Sequence, residues 1–407
     1  MLNPFEESFF DDEELPEENP ELTLKLCRLA RVAIDWISTR VVEPIRRSTE
    51  EVRKVLDIRT VDGDPASYAA ILAVDSTWTS PPLELVSGSI AIIVAGYIVA
   101  TPSTPGFYGV SYVSLGRVGY DEERFSTSIE LRSKILEFET AKRVLERFGD
   151  LVELAMIDGP MPPAVMYRSF YSPANSLDPL KDSRKVSGTH LASYVATSLL
   201  RLVDVVDELG IPLVGVVKRV SSRFLEPFLR SRGLDSVAEA VRRSNDKTLM
   251  SYVLRPGEYV VLGTVKQLLE TYLASKRKSL FDKLRLACEA GGELEQKLCR
   301  FMERTVVVYY MPRTDALYPQ AVRLDIYPVD RVEEVVSYAM DDSSHTSVPT
   351  PIDLVDRFVR MEALSIRRFH ELMQSYATDL DTLIAIGFTN PQKYYLYRRK
   401  SRYESTR

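Results

Sequence analysis

Residues 69–77 read Ala-Ala-Ile-Leu-Ala-Val-Asp-Ser-Thr, an apolar run that stops at Asp75. A second apolar run ends in Ala-Met-Ile-Asp-Gly-Pro at residues 155–160, where Asp158 follows the last apolar side chain. Short aliphatic runs of this kind indicate buried strands. A carboxylate at the end of a buried strand is costly to desolvate unless positive charge lies near it. The stretch from Ala70 to Pro160 therefore predicts a sheet with a functional site at one edge.

The order of the predicted elements indicates the fold class. Two helices are predicted, one over residues 129–148 with Ser128 as its N-cap and one over residues 190–209 that ends at Gly210. Five strands are predicted, at residues 69–74, 88–100, 108–115, 152–157 and 211–217. Three antiparallel strands, a helix, a strand, a helix and a strand follow the order of the ribonuclease H-like fold. We expect an α/β protein with a mixed five-stranded sheet and flanking helices.

Composition divides the rest of the chain. Residues 1–20 carry eight acids and no Lys or Arg, which is typical of a solvated arm or of a docking arm for a basic partner. Residues 21–60 are predicted to be helical, and this segment packs either on a second subunit or on its own core. The main domain is predicted at 65–365, with a helical insertion at about 222–300 and further strands at 306–311 and 321–327. A C-terminal helix and a basic tail occupy residues 366–407.

Charge and cysteine content exclude several classes of protein. The net charge is −6, but the last 16 residues hold six Lys/Arg against one Glu, so a nucleic-acid partner is not excluded. Cys27, Cys288 and Cys299 are widely spaced, and we expect neither a zinc site nor a disulfide framework. No apolar stretch reaches 18 residues, and the first residues lack a basic signal-peptide region. A soluble cytoplasmic protein is therefore expected.

Three acids lie at landmarks of the predicted sheet. Asp75 and Asp158 end neighbouring strands, and Glu130 lies in the first predicted turn of the helix that crosses the same edge. Carboxylate oxygens are the ligands that Mg²⁺ and Mn²⁺ prefer, and such ions activate water against phosphodiesters. A fourth ligand is expected near the last predicted helix, where Asp356 is preferred and His345 is the alternative. Each acid taken singly also suits an ordinary turn or helix start.

Cations suited to phosphate flank these acids. Lys218 and Arg219 end the fifth predicted strand, and Lys218 would neutralise the scissile phosphate or position the attacking water. Arg132 and Arg168 are further candidates for phosphate contacts, as is the Tyr/Arg-rich tail at 393–400. The sequence contains no Gly-x-x-x-x-Gly-Lys-Ser/Thr loop, so any ATP-driven step would come from a partner.

These motifs together resemble the NurA nucleases, found mainly in archaea. The resemblance rests on short stretches that span about residues 70–365. They are Ala73-Val-Asp75-Ser-Thr, Glu130-Leu-Arg-Ser-Lys-Ile-Leu-Glu-Phe-Glu-Thr-Ala141, Ile157-Asp158-Gly-Pro, Gly215-Val-Val-Lys218-Arg, Arg323-Leu-Asp325 and Pro349-Thr-Pro-Ile. One departure is that members of the family often carry a histidine in the last helix, where this chain has Asp353 and Asp356.

The resemblance implies a Mn²⁺-dependent DNA nuclease, with Mg²⁺ as the alternative ion, whose metal-binding acids match Asp75, Glu130 and Asp158. It also implies a homodimer that resects DNA ends with 5′→3′ polarity while docked on HerA, a hexameric translocase, in recombinational repair. Two other hypotheses stay open. One is a non-catalytic DNA-binding scaffold in which the acids are structural, and the other is a ribonuclease H-like enzyme that acts on RNA.

Overall fold

The computed structural model describes residues 20–61, 66–79, 83–101, 107–118, 122–163, 188–313, 319–343, 346–360 and 363–387. Ten strands within these ranges form one mixed sheet, in the order β1-β8-β9-β10-β7-β6-β2-β4-β3, with β5 paired to β4. The strands are β1 (Ile58–Thr60), β2 (Ile71–Trp78), β3 (Leu83–Leu85), β4 (Gly88–Ala100), β5 (Phe107–Val118), β6 (Leu154–Asp158), β7 (Leu213–Val217), β8 (Glu258–Thr264), β9 (Val306–Tyr310) and β10 (Val322–Tyr327).

The ribonuclease H-like sheet is present, but it is larger than predicted. The five predicted strands are β2, β4, β5, β6 and β7, in which β2, β6 and β7 are parallel and β4 is antiparallel to both β2 and β5. The predicted five-stranded sheet is too small because the edge of β7 is not free, and the two further strands predicted at 306–311 and 321–327 are β9 and β10 of the same sheet. Strand β10 pairs with it in antiparallel fashion and is followed outward by β9, β8 and β1. Each added strand satisfies the main-chain groups of the one before it.

Helices cover both faces of the sheet. They are α1 (Pro20–Ile37), α2 (Glu43–Arg47), α3 (Thr49–Val55), α4 (Glu122–Phe148), α5 (Gly188–Leu209), α6 (Leu225–Ser231), α7 (Asp235–Arg243), α8 (Asp246–Val253), α9 (Val265–Lys276), α10 (Lys278–Ala290), α11 (Glu293–Arg304), α12 (Val332–Asp341), α13 (Thr350–Val359), α14 (Ala363–Tyr376) and α15 (Leu380–Ala385). A π-helical turn, Ser38–Val42, joins α1 to α2. The predicted insertion contains α6 to α11, and its strand β8 belongs to the central sheet.

The alternation of side chains along β2 sets the two faces. Leu72 and Val74 pack in the core beneath α4 and α5, whereas Ile71 and Ala73 pack in the core beneath α12 and α13. Successive side chains of a strand point to opposite faces, so Asp75 follows Ala73 toward the α13 side. The same parity holds in β6, where Leu154 and Met156 belong to the α13 side and Asp158 follows them.

The start of α4 differs from the prediction. The helix begins at Glu122, so Ser128 lies inside it rather than at its N-cap, and Glu130 is two turns from its start. Residues 122–128 contain neither Gly nor Pro, and nothing in that segment stops the helix. The predicted placement of Glu130 in the first turn is therefore wrong.

The absence of a disulfide was expected, and this expectation is wrong. Cys288 and Cys299 form a disulfide with a sequence separation of 11, because the Gly291-Gly292 turn brings α10 back along α11. Helix α1 exposes its apolar residues, including Leu29 and Val32, instead of burying them in the described core. None of the described helices combines the length and apolar character that a bilayer span requires.

Candidate metal centre

Three aspartates meet at the edge of the sheet where β2 and β6 end their shared ladder. One carboxylate oxygen from each of Asp75, Asp158 and Asp356 lies within 4.8 Å of the others. Asp75 is buried, Asp158 is partly exposed and Asp356 is exposed. Val74 pairs with Ile157 in the parallel ladder, which places the next residues, Asp75 and Asp158, side by side. The structure thus brings together two predicted strand-end acids and Asp356, the preferred fourth ligand, which lies on α13.

A glycine in β4 lets α13 deliver Asp356. Gly96 pairs with Asp75 across the sheet. A Cβ built on Gly96 would lie 2.6 Å from Cγ1 of Val359 and 3.2 Å from the ring of Phe358, both on α13. A side chain there would push α13 away from the sheet. Because Gly96 has no side chain, α13 packs close to β4, and Asp356 on α13 comes near Asp75.

Lys218 supplies positive charge to this cluster. Its Nζ lies 3.1 Å from Asp158 Oδ2 and donates a hydrogen bond of 2.8 Å to Asp356 Oδ1. Burial lowers the pKa of Lys218, but the neighbouring carboxylates overcome this effect and the net shift is upward. The lysine is therefore charged while it bridges the two aspartates.

A second, more buried group lies behind Asp75 on α4. Glu137 is fully buried and accepts a 2.6 Å hydrogen bond from the hydroxyl of Ser76, the residue after Asp75. The Nζ of Lys134 donates to both oxygens of Glu137, at 2.9 and 2.8 Å, and to the main-chain oxygen of Asp158 at 2.5 Å. Sequence reasoning missed Lys134 and Glu137 because it placed the helix start seven residues too late.

The turn after Asp158 leaves room for Lys134. Gly159 has a φ of +108°, a conformation that side-chain-bearing residues rarely adopt. A Cβ on Gly159 would also lie 3.2 Å from Lys134 Nζ. The Asp-Gly-Pro motif thus ends the strand and admits the cation that holds the Asp158 main chain.

The cluster carries more negative charge than its two lysines offset. Burial, followed by the charges of Asp158 and Glu137, raises the pKa of Asp75 to about 8. Burial also raises the pKa of Glu137 to about 7, against the opposing effect of Lys134. Excess negative potential at a set of oxygen donors fits a hard divalent cation such as Mn²⁺ or Mg²⁺.

The other predicted site residues are more scattered. Glu130 is exposed and is not one of the three carboxylates that converge, so the prediction that it meets Asp75 and Asp158 is corrected. The α4 side of the sheet is opposite the side to which these aspartates point. Arg132 is partly buried on α4, and burial lowers its pKa. Arg219 is exposed beside Lys218. His345 and Arg168 lie outside the described residues.

A buried ion pair connects the loops that carry Asp158 and Lys218. Asp325 is fully buried on β10 and accepts hydrogen bonds from Arg323 at 2.7 and 3.0 Å. It also accepts the main-chain N–H of Met161 at 2.9 Å, in the loop after Asp158. Arg323 donates from its other terminal nitrogen to the hydroxyl of Ser222 at 3.3 Å, in the loop after Lys218. The Arg323-Leu-Asp325 motif therefore holds both loops in place through hydrogen bonds to Met161 and Ser222.

Known proteins resemble this chain in structure but not in sequence. The sequence matches no protein-family model and no curated protein. The structure is similar to the NurA nuclease from Sulfolobus solfataricus, with 11% identity, a TM-score of 0.50, and coverage of 89% of this chain and 97% of that one. It is also similar to NurA with manganese, with 12% identity, a TM-score of 0.50, and coverage of 89% and 100%. The chain therefore has a NurA-like, ribonuclease H-like fold.

Proposed function

We propose that this protein is a divalent-metal-dependent DNA nuclease. The observation that carries the proposal is the convergence of Asp75, Asp158 and Asp356 at one edge of a NurA-like sheet. Three carboxylates so close together repel one another unless a cation lies among them. Lys218 supplies one positive charge for three carboxylates, and burial together with the charges of Asp158 and Glu137 keeps the pKa of Asp75 raised to about 8.

The three aspartates would hold Mn²⁺ or Mg²⁺ through their oxygens. When bound, the ion would supply an activated water and offset charge on the leaving oxygen of a phosphodiester. The structure of NurA with manganese is that of a protein with the same fold. With its carboxylate partners engaged by the ion, Lys218 would contact the phosphate oxygens of the substrate.

Residues behind the aspartates keep them in place. Lys134 holds the main-chain oxygen of Asp158, and Glu137 holds Ser76 next to Asp75. Because Glu137 is fully buried, it would act mainly by fixing Ser76 and Lys134 and by adding negative charge behind Asp75. These contacts favour a preorganised site over one assembled by substrate.

The finer description follows the family resemblance. We infer single-stranded DNA as the substrate, 5′→3′ resection of DNA ends, and action with a HerA-type hexameric ATPase in recombinational repair. Arg132, Arg168 and Arg219 would contact the DNA backbone. A homodimer is supported by α1, whose exposed apolar side chains, Leu29 and Val32 among them, need a partner surface.

One assay tests the activity and separates the alternatives. Purified protein is incubated with Mn²⁺, Mg²⁺ or EDTA and with single-stranded DNA, duplex DNA and RNA of one sequence. We expect metal-dependent cleavage of DNA that is lost in Asp158→Asn, while the circular dichroism spectrum stays that of the wild type. Cleavage of RNA alone would favour a ribonuclease. Tight DNA binding with no cleavage in either metal would favour the non-catalytic scaffold.

A further inference from the structure

The loop after β7 is clamped to the start of α8. Asp246 is fully buried and accepts hydrogen bonds from the Ser222 hydroxyl at 2.8 Å and from the main-chain N–H groups of Phe224 and Leu225 at 2.8 and 3.1 Å. The N–H of Asp246 donates in turn to the main-chain oxygen of Ser222 at 3.0 Å. The helical insertion is thereby fixed to the segment that carries Lys218.

The next residue, Lys247, reaches the same segment with a charged group. Its Nζ donates to the main-chain oxygen of Lys218 at 3.1 Å. Within the part of the chain that the structure describes, no carboxylate forms an ion pair with Lys247. The side chain is only partly exposed, and burial lowers its pKa. Two of its three ammonium hydrogens are left without a described acceptor.

The position of Lys247 on α8 makes this charge costly. It lies in the first turn of the helix, after the N-cap Asn245, where the helix dipole is positive and favours anions over cations. Partial burial adds a desolvation cost. A single carbonyl oxygen does not offset both effects. A cation held in an unfavourable place without a counter-charge indicates an anionic ligand.

Cations near Lys247 support the same conclusion. Arg219 is exposed and forms no ion pair with any described carboxylate, and Arg223 donates to the main-chain oxygen of Ser244 at 3.4 Å. By contrast, Arg242 and Arg243 on α7 are both neutralised by Glu239, at 2.6 and 2.9 Å. Lys247 and Arg219 therefore add positive charge beside Lys218, whose own ammonium group contacts Asp158 and Asp356.

We propose that Lys247, together with Arg219, forms a subsite for a backbone phosphate next to the scissile phosphodiester. The inference rests on the proposed nuclease function and extends it. The ammonium groups of Lys247 and Lys218 lie near each other because both belong to contacts of Lys218. Its carbonyl oxygen accepts from Lys247 Nζ, and its own Nζ lies among the aspartates. A nucleic-acid strand that passes the aspartates would be contacted by both groups. Contacts of this kind read charge rather than base sequence.

Binding of labelled single-stranded DNA to the full chain tests the subsite. Fluorescence anisotropy is measured across a range of salt concentrations in the Asp75→Asn background, which prevents cleavage. We expect Lys247→Met to weaken binding about tenfold at low salt and to reduce the slope of log affinity against log salt by about 0.7 to 1. Lys247→Arg should retain most of the affinity. Lys266→Met is the matched control, since Lys266 on α9 is already neutralised by Glu303 at 2.5 Å.

The outcomes separate the subsite from the nuclease activity. If Lys247→Met and Lys266→Met give the same affinity and the same salt slope, the subsite is refuted, while metal-dependent cleavage by the wild type would still stand. If the wild type cuts no nucleic acid but Lys247→Met still lowers the salt slope, the proposed function fails and the phosphate site remains. Should Lys247→Met unfold, Arg219→Gln makes the same test at an exposed position, and an unchanged salt slope there counts against the subsite.

Discussion

Lys218 Nζ and Asp356 Oδ1 lie 2.8 Å apart, although 138 residues separate them in the sequence. One follows the strand β7 and the other lies on α13, and both meet at Asp158. The lysine occupies the position among the carboxylates that a metal ion would share. Metal binding and this ion pair are therefore in competition.

Replacing Lys218 by Met should tighten Mn²⁺ binding and slow cleavage. The variant removes a cation that competes for Asp158 and Asp356, and a partly exposed ion pair of this kind contributes up to about 1 kcal/mol, or about fivefold in affinity. Isothermal titration calorimetry measures the first effect and initial cleavage rates measure the second. Weaker Mn²⁺ binding in Lys218→Met would show that the lysine supports the metal rather than competing with it.

Asp75→Asn should stabilise the metal-free protein at pH 8. The pKa of Asp75 is raised to about 8 in the folded state, above its ordinary value of about 4 in an unfolded chain. Between these values the folded state binds more protons, so the free energy of unfolding falls as pH rises. We expect a gain of about 1 to 3 kcal/mol at pH 8 and little change near pH 4.

Urea denaturation in EDTA at pH 4, 6 and 8 makes this measurement. The exposed-site variant Glu130→Gln is the control and should follow the wild type at each pH. Added Mn²⁺ should stabilise the wild type at pH 8 more than Asp75→Asn. If metal-free Asp75→Asn were less stable than the wild type at pH 8, the ionised Asp75 carboxylate would not be a source of instability in the folded protein.

Glu137→Gln and Glu130→Gln form a matched pair on the same helix, two turns apart. Glu137 is fully buried next to Ser76 and Lys134, whereas Glu130 is exposed. Glu137→Gln keeps the shape but removes the charge that Lys134 faces, so we expect cleavage to fall by at least about tenfold. Steady-state rates at saturating Mn²⁺ compare the two variants. A larger loss in Glu130→Gln would restore Glu130 as the helix acid of the site.

Gly96→Ala should displace α13 and weaken metal binding. The added methyl group would lie 2.6 Å from Val359 Cγ1, too close for any relaxed contact. The cost of overpacking is about 1 to 3 kcal/mol. In the double variant with Val359→Ala, which removes the clashing atom, part of the Mn²⁺ affinity should return. No recovery would mean that Gly96 does not act through Val359.

Removing the Cys288–Cys299 disulfide should lower stability without changing the chemistry. A disulfide that closes a loop of this size, with a separation of 11 residues, contributes about 3 kcal/mol by restricting the unfolded chain. We expect Cys288→Ser with Cys299→Ser to lower the melting temperature and to leave the cleavage rate at moderate temperature unchanged. A melting temperature equal to that of the wild type would show that the bridge does not form in solution.

Local sequence pattern accounts for much of the fold. The apolar runs before Asp75 and Asp158 predicted two neighbouring strands, and Gly210 was predicted to end the helix α5, as it does with a φ of +68°. Such features depend on side-chain period and backbone freedom, which residues a few positions apart determine. The same patterns failed at the start of α4, because Asp121 and Ser128 are both acceptable N-cap residue types and local pattern does not choose between them.

Tertiary structure decided the contacts within the site, although Asp356 and Lys218 had been predicted as members of it. Asp356 joins the two strand-end aspartates because Gly96 admits α13. On α4 the buried acid is Glu137, whereas Glu130, the predicted metal ligand, is exposed. Lys247 reaches Lys218 only because the insertion folds back onto the loop after β7. Contacts between residues so far apart depend on how whole elements pack. The sequence by itself determined which acids end the strands, while packing determined which side chains surround them.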